Sequence, residues 1–201
     1  MRQARYIFFS GLAMLLLQQS AQAHLVTTGL GPVYDGIGHF SLSPDDSIPV
    51  VALALLAGLR GKAAGRGLIF QLPVAWFVGG VAGLVANRAP IDPLRCVSFM
   101  AIGLLISADA PLPDLAVMAI AVAMGFLHGF LDGSGFAATG LGKGMLELLG
   151  IAIIIFVLAT IFSALVVSMR QYWLRIVVRV AGSWIAAIGM LMLGWALRSA
   201  H

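Results

Sequence analysis

Apolar residues fall in six runs separated by short polar or glycine- and proline-rich breaks. The runs predict helices over about Ser47–Leu59, Leu68–Ala86, Leu94–Ala108, Leu115–Leu131, Met145–Met169 and Val180–Leu197. Most are long and apolar enough to cross a bilayer. The first is short for that purpose, so it extends back toward Pro44 or sits partly in protein-lined space. The breaks differ in kind. Arg60–Gly67 is a tight basic loop, Asn87–Pro93 a short connection, and Asp109–Asp114 carries two prolines. Gly133–Gly144 is rich in glycine, and Arg170–Arg179 is basic and amphipathic.

Two segments precede the runs. Leu25–Asp46 is the only sizeable polar stretch, and Gly29, Gly31, Gly36, Gly38, Pro32 and Pro44 exclude a single regular helix there. Pro44-Asp45-Asp46-Ser47 reads as a helix start, because acidic side chains are favoured at the positive end of the helix dipole. Before that, Arg2 and Arg5 form a basic head, Tyr6–Leu17 an apolar centre, and Ala21-Gln22-Ala23 a small-x-small cleavage pattern. These are the marks of a secretory signal. Cleavage would leave His24 as the first residue, outside the cytoplasm.

Composition strengthens the membrane reading. Of 201 residues, 61% are hydrophobic and 10% charged, against about 25% charged in a soluble domain. The expectation is an all-α polytopic membrane protein with about six transmembrane helices after a cleavable signal peptide. Residues 1–23 form the signal, 24–46 an extracytoplasmic segment and 47–201 the transmembrane domain. The net charge of +4 is small and dispersed, which gives no footprint for nucleic acid. Cys96 is the single cysteine, so neither an internal disulfide nor a thiolate cluster is available.

Charge also suggests an orientation. With the mature N-terminus in the periplasm, inner loops carry Arg60, Lys62, Arg66, Arg170, Arg175 and Arg179. Outer segments carry Arg88, Arg95, Lys143 and Arg198. The excess has the sign of the positive-inside rule. In this arrangement Asp45, Asp46, His128, Asp132 and Glu147 come to the outer side of a bacterial inner membrane.

His128 and Asp132 stand four apart at the end of an apolar run, on one helix face. Ionisable groups in such a place are costly and are functional by default. Together with His39, Asp45, Asp46 and Glu147 they form a mixed imidazole and carboxylate set. Imidazole suits nickel, copper, zinc and cobalt, and carboxylate suits harder ions such as manganese. Several carboxylates in a low-dielectric setting need a cation or protons nearby. Simpler roles exist for each. Asp45 and Asp46 can cap the first span. Asp132 can pair with Lys143 or close a turn with Gly133, and Glu147 can cap its own helix. His24 adds an amine and a ring nitrogen if it is the N-terminus, or is a loose terminal residue.

The chain resembles the HupE/UreJ family of hydrogenase and urease accessory permeases. The resemblance rests on His39-Phe40-Ser41-Leu42-Ser43-Pro44-Asp45-Asp46, on His128-Gly129-Phe130-Leu131-Asp132-Gly133-Ser134-Gly135, and on Leu146-Glu147-Leu148-Leu149-Gly150. In that family the first stretch reads His-Pro-x-x-Gly-x-Asp-His, the second His-Gly-x-Ala-His-Gly-x-Glu, and a histidine opens the next helix. His39, Asp45, His128, Gly129 and Gly133 match. Asp46, Asp132 and Glu147 stand where the family has histidines, and Gly135 where it has a glutamate. The resemblance implies a metal permease whose cation site has been retuned toward oxygen ligands. Its ion would be nickel, cobalt or copper, with manganese also possible. It leaves open a non-transporting accessory subunit that scaffolds or metallates a metalloenzyme, with that enzyme or other transporter subunits as partners beside the lipid bilayer.

Catalysis fits the chain poorly. Asp132-Gly133-Ser134-Gly135 is similar to the Gly-x-Ser-Gly of rhomboid proteases. No histidine in the last two spans could activate Ser134, however. Only His128 lies within a span, which excludes a bis-histidine haem. No nucleotide-binding motif is present, so transport would be channel-like, ion-coupled or powered by another subunit.

Overall fold

A computed structural model describes residues 27–86, 92–168 and 172–199, and these form an all-helical bundle. The signal segment 1–23, His24, Arg88, Arg170 and His201 lie outside the described residues. The helices are α1 (Pro32–Leu42), α2 (Pro44–Arg60), α3 (Lys62–Ala86), α4 (Asp92–Ser107), α5 (Asp114–Phe136), α6 (Leu141–Ser168) and α7 (Tyr172–Ser199). A single 3-10 turn, Ala137–Thr139, joins α5 to α6.

Four of these helices, α3, α5, α6 and α7, have the length and hydropathy to cross a membrane. The bent pair α1 and α2 makes a fifth if it counts as one span, and α4 is a shorter apolar helix. Large apolar side chains such as Phe70, Val85, Leu115, Trp184, Leu191 and Trp195 face outward. That surface suits hydrocarbon rather than water.

Local chemistry sets the breaks. Pro44 disfavours helical geometry at the residue before it, and Ser43 is extended (φ −100°, ψ 94°). The axis bends by 79° there. Pro44 then serves as the first residue of α2, where its missing N–H costs nothing. The polar stretch is thus not one helix, as its prolines and glycines predict, yet it does contain α1. Gly61 ends α2 with φ 119°, a conformation other residues resist.

Four expected boundaries move, among them the start of α6, which is Leu141 instead of Met145. α3 starts at Lys62 instead of Leu68, and α7 at Tyr172 instead of Val180. α5 runs through Gly133 to Phe136, into what reads as a glycine-rich connection. The reason for the last lies in packing. In lipid, apolar burial does little to hold helices together, so small residues that let backbones touch take over. A Cβ at Gly129 would strike the Trp76 carbonyl, and one at Gly133 the Gly80 carbonyl. Gly79 and Gly83 of α3 meet the α5 backbone in return, at Phe126 and Phe130. Gly133 is therefore a contact point of a helix, and Gly135, which faces open space, is part of the same helix and not the sign of a loop.

The same device joins α4 to α7 through Gly103 and Gly182, and α1 to α6 through Gly36 and Gly150. Between these pairs runs α2, which touches every helix from α3 to α7. Its Val50, Ala52, Leu53, Ala54, Leu56 and Ala57 are buried. A central helix needs no lipid-facing length, which accounts for the shortness of the first apolar run. Its N-terminal turn, with Asp45 and Asp46, opens into the end of the bundle formed by the start of α4 and the end of α5.

The opposite end is tied by Asp109. It follows α4 in the left-handed region (φ 47°), which aspartate tolerates better than most residues. Its carboxylate receives Arg60 from the end of α2 and Arg175 from α7, the latter at 2.8 Å. Arg60, Asp109 and Arg175 thus share one end of the bundle, while Asp46, Arg95 and Asp132 share the other.

Candidate metal centre

Five helices contribute to a buried polar cluster. Asp46 sits in the first turn of α2, where the helix dipole favours a negative charge. His128 and Asp132 project from one face of α5. His39 comes from the last turn of α1, its ring edge-on to Phe136 with centroids 5.0 Å apart. Asp46, His128 and Asp132 are all nearly inaccessible, and His39 is partly buried. One ligand atom each from His39, Asp46 and Asp132 lies within 4.8 Å of the other two. Donors bonded to one first-row ion at about 2.1 Å stand at most about 4.2 Å apart. A small side-chain shift would bring the three within reach of a single ion.

The pair His128 and Asp132 is not bonded to itself. His128 Nδ1 lies 3.1 Å from Asp46 Oδ1, and Nε2 lies 2.9 Å from Ser98 Oγ. Ser98 Oγ is also 2.7 Å from the Arg95 carbonyl. Its single proton serves either the carbonyl or the imidazole, so the His128 tautomer and the Ser98 rotor are linked. Both ring nitrogens of His128 have protein partners. Its position orients Asp46 rather than adding a fourth convergent atom.

Asp132 is held twice. Trp76 Nε1 donates to Oδ2 at 2.9 Å, and Arg95 Nη2 donates to Oδ1 at 2.9 Å. The other terminal nitrogen, Nη1, reaches Asp46 Oδ1 at 2.7 Å and Asp45 Oδ2 at 2.9 Å. Arg95 thus bridges three carboxylates on two helices. It stands in the first turn of α4, where the dipole opposes a positive charge, so the carboxylates supply what the helix does not. The fork geometry of guanidinium suits this bridging, and a lysine could not reproduce it.

The remaining candidates sort as follows. Asp45 joins the cluster through Arg95, with its side chain 37% exposed. Glu147 is buried, but its contacts are Thr139 Oγ1 at 3.2 Å and Lys143 Nζ at 3.6 Å, one turn away on α6. It is not one of the three convergent residues. Lys143 is thus the partner of Glu147, while Asp132 pairs with Arg95. His24 lies outside the described residues.

Sequence reasoning overlooked Arg95, Trp76 and Ser98. Arg95 counts only as an outer-segment charge in the charge-bias argument, although the expected helix Leu94–Ala108 contains it; in α4 it is ion-paired. The signal was available: an ionisable residue inside the apolar helix, with Ser98 one turn on. Trp76 gave none, because an indole N–H within an apolar run looks like any core aromatic.

No curated protein and no solved structure matches the chain. The family model described as HupE / UreJ protein matches residues 12–192. That family is associated with nickel or cobalt transport or with an accessory function. The match covers α1 to α6, most of α7 and every residue of the cluster, and the chain belongs to the HupE / UreJ protein family.

Proposed function

We propose that this chain is a six-span permease of the bacterial inner membrane for a divalent transition metal, taken up from the periplasmic side. The observation that carries the reading is the convergence of His39, Asp46 and Asp132 within 4.8 Å. The family association supports it. So does the grouping of buried ionisable residues at one end of membrane-length helices, where such groups mark ion paths. Six spans follow if α2 and the short α4 each count as one beside the four long helices. Residues 1–23 would then be a cleaved signal and 24–46 would lie outside the membrane, bringing His39 to the entrance.

One imidazole and two carboxylates favour a first-row ion of intermediate hardness. Nickel and cobalt come first, with copper and manganese on either side. His128 and Asp45 shape the site at one remove, and Glu147 and His24 would serve as outer ligands on the approach. A second reading draws on Arg95, which already pairs with two of the three ligands. A site so neutralised also suits a non-transporting accessory subunit that metallates or scaffolds a metalloenzyme.

Proteoliposomes containing only this chain separate the two. Accumulation of radioactive nickel or cobalt above empty liposomes, abolished by Asp132→Ala, is the expected result. Binding without accumulation would replace the permease with the accessory reading. Absence of both would remove the metal function.

A further inference from the structure

The guanidinium of Arg95 and an incoming cation require the same oxygens. Asp46 and Asp132 are two of the three convergent ligands, and both are bound by Arg95, at 2.7 and 2.9 Å. Their side chains are almost fully buried, with 1% and 0% exposed. Two adjacent carboxylates cannot stay ionised in such a place without a counter-charge. When no ion is present, the counter-charge is Arg95.

The third partner of Arg95 differs in kind. Asp45 binds the same Nη1 at 2.9 Å, yet it is not one of the convergent ligands, and its side chain is 37% exposed. It lies on the outer margin of the cluster, one residue before Asp46 in α2. Arg95 itself is 16% exposed. Its long side chain can release Asp46 and Asp132 while keeping Asp45. With Arg95 withdrawn onto Asp45, Asp46 and Asp132 as ligands carry two negative charges, which a divalent ion balances and a monovalent ion does not.

We propose that Arg95 is a tethered counter-cation that holds Asp46 and Asp132 in the ion-free state and withdraws onto Asp45 when a divalent metal takes them. The proposal rests on the reading of His39, Asp46 and Asp132 as a cation site. It adds that affinity is set by competition with an internal charge, and that Asp45 acts as the parking place. Arg95 and Asp45 are positioning residues in this scheme, and neither ligates the ion.

The test is equilibrium dialysis of the purified full chain in lipid nanodiscs against manganese, cobalt and nickel separately, at fixed pH and salt. The proteins are wild type, Arg95→Gln, Arg95→Lys and Asp45→Asn. Arg95→Gln should bind each ion at least tenfold more tightly. Arg95→Lys keeps the charge but loses the fork, so it should fall between Arg95→Gln and wild type. It also preserves the test if Arg95→Gln does not fold. Asp45→Asn should weaken binding severalfold, although Asp45 touches no ion, because the guanidinium loses its retreat.

Wild type that binds, with both Arg95 variants equal or weaker, would overturn the proposal and leave the cation site standing. Binding by Arg95→Gln alone would overturn the withdrawal step, because the guanidinium would then never yield. No binding by any protein would overturn the cation site itself, and the proposal with it.

Discussion

Trp76 donates its indole N–H to Asp132 across 2.9 Å, from a helix whose backbone touches the backbone of Asp132's own helix. The Trp76 carbonyl rests against Gly129, one turn before Asp132. One residue therefore sets both the spacing of α3 and α5 and the direction of the Asp132 carboxylate. Trp76→Phe keeps the ring and its contact with Phe40 while deleting the donor. Loss of a hydrogen bond to a charged group costs about 1–3 kcal/mol. Denaturant unfolding in detergent should show that loss, with a severalfold drop in cation affinity. An unchanged affinity would mean that Arg95 alone positions Asp132.

Asp132 is expected to decide which ion binds. Asp132→Ala should weaken every cation at least tenfold, because it removes one of three ligands and one of the two Arg95 anchors within the trio. Asp132→His exchanges an anionic oxygen for a neutral nitrogen and should shift preference toward nickel and copper. Competitive binding at fixed pH measures both. Equal affinities for all ions in Asp132→Ala would reduce Asp132 to a packing residue.

The glycines of α5 should separate sharply. A Cβ at Gly133 collides with the carbonyl of Gly80, whereas a Cβ at Gly135 meets nothing within 4 Å. Gly133→Ala should cost several kcal/mol or block folding, since two backbones must part. Gly135→Ala should be neutral or stabilising by up to about 1 kcal/mol, from helix propensity. Folded yield after detergent extraction, followed by unfolding curves, distinguishes the two. Similar behaviour of the pair would contradict the close α3–α5 approach.

Asp109 should carry a pH signature at the other end of the bundle. Burial raises its carboxyl pKa, but the hydrogen bond and charge of Arg175, with Arg60 behind, bring it below the ordinary value. A group with a depressed folded pKa stabilises the protein above the unfolded value, near pH 4, and loses that contribution as pH falls through the folded one. Asp109→Asn should therefore be less stable than wild type near pH 7, by about 1 kcal/mol or less for partly exposed pairs. The gap should close on acidification. A pH-independent difference would assign the effect to the left-handed backbone at Asp109.

Orientation can be read by labelling. In a Cys96→Ala background, a membrane-impermeant thiol reagent applied outside should reach Ala138→Cys and miss Ala63→Cys. Both positions are exposed, at opposite ends of the bundle. The reverse pattern would turn the protein over and place the His39 site on the cytoplasmic side.

Much of the architecture was legible in the residues alone. Long apolar runs can satisfy their backbone in lipid only as helices, so the class followed from composition and period. Pro44 marked the start of α2, because a missing N–H acts within a residue or two of itself. The one-turn spacing of His128 and Asp132 placed them on one face for the same local reason.

Tertiary structure decided which partners those faces meet. Asp46 and His128 are 82 residues apart in the chain, and Arg95 lies between them in sequence as well as in space. Nothing local says that the start of α4 packs against the start of α2 and the end of α5. Nor could glycine content alone tell a loop from a helix contact: Gly133 and Gly135 look alike in sequence and differ only in what faces them. Periodicity sets the face a side chain occupies, because it is a property of one helix. The proposed cation site belongs to several helices at once, and its geometry exists only after their backbones have come together.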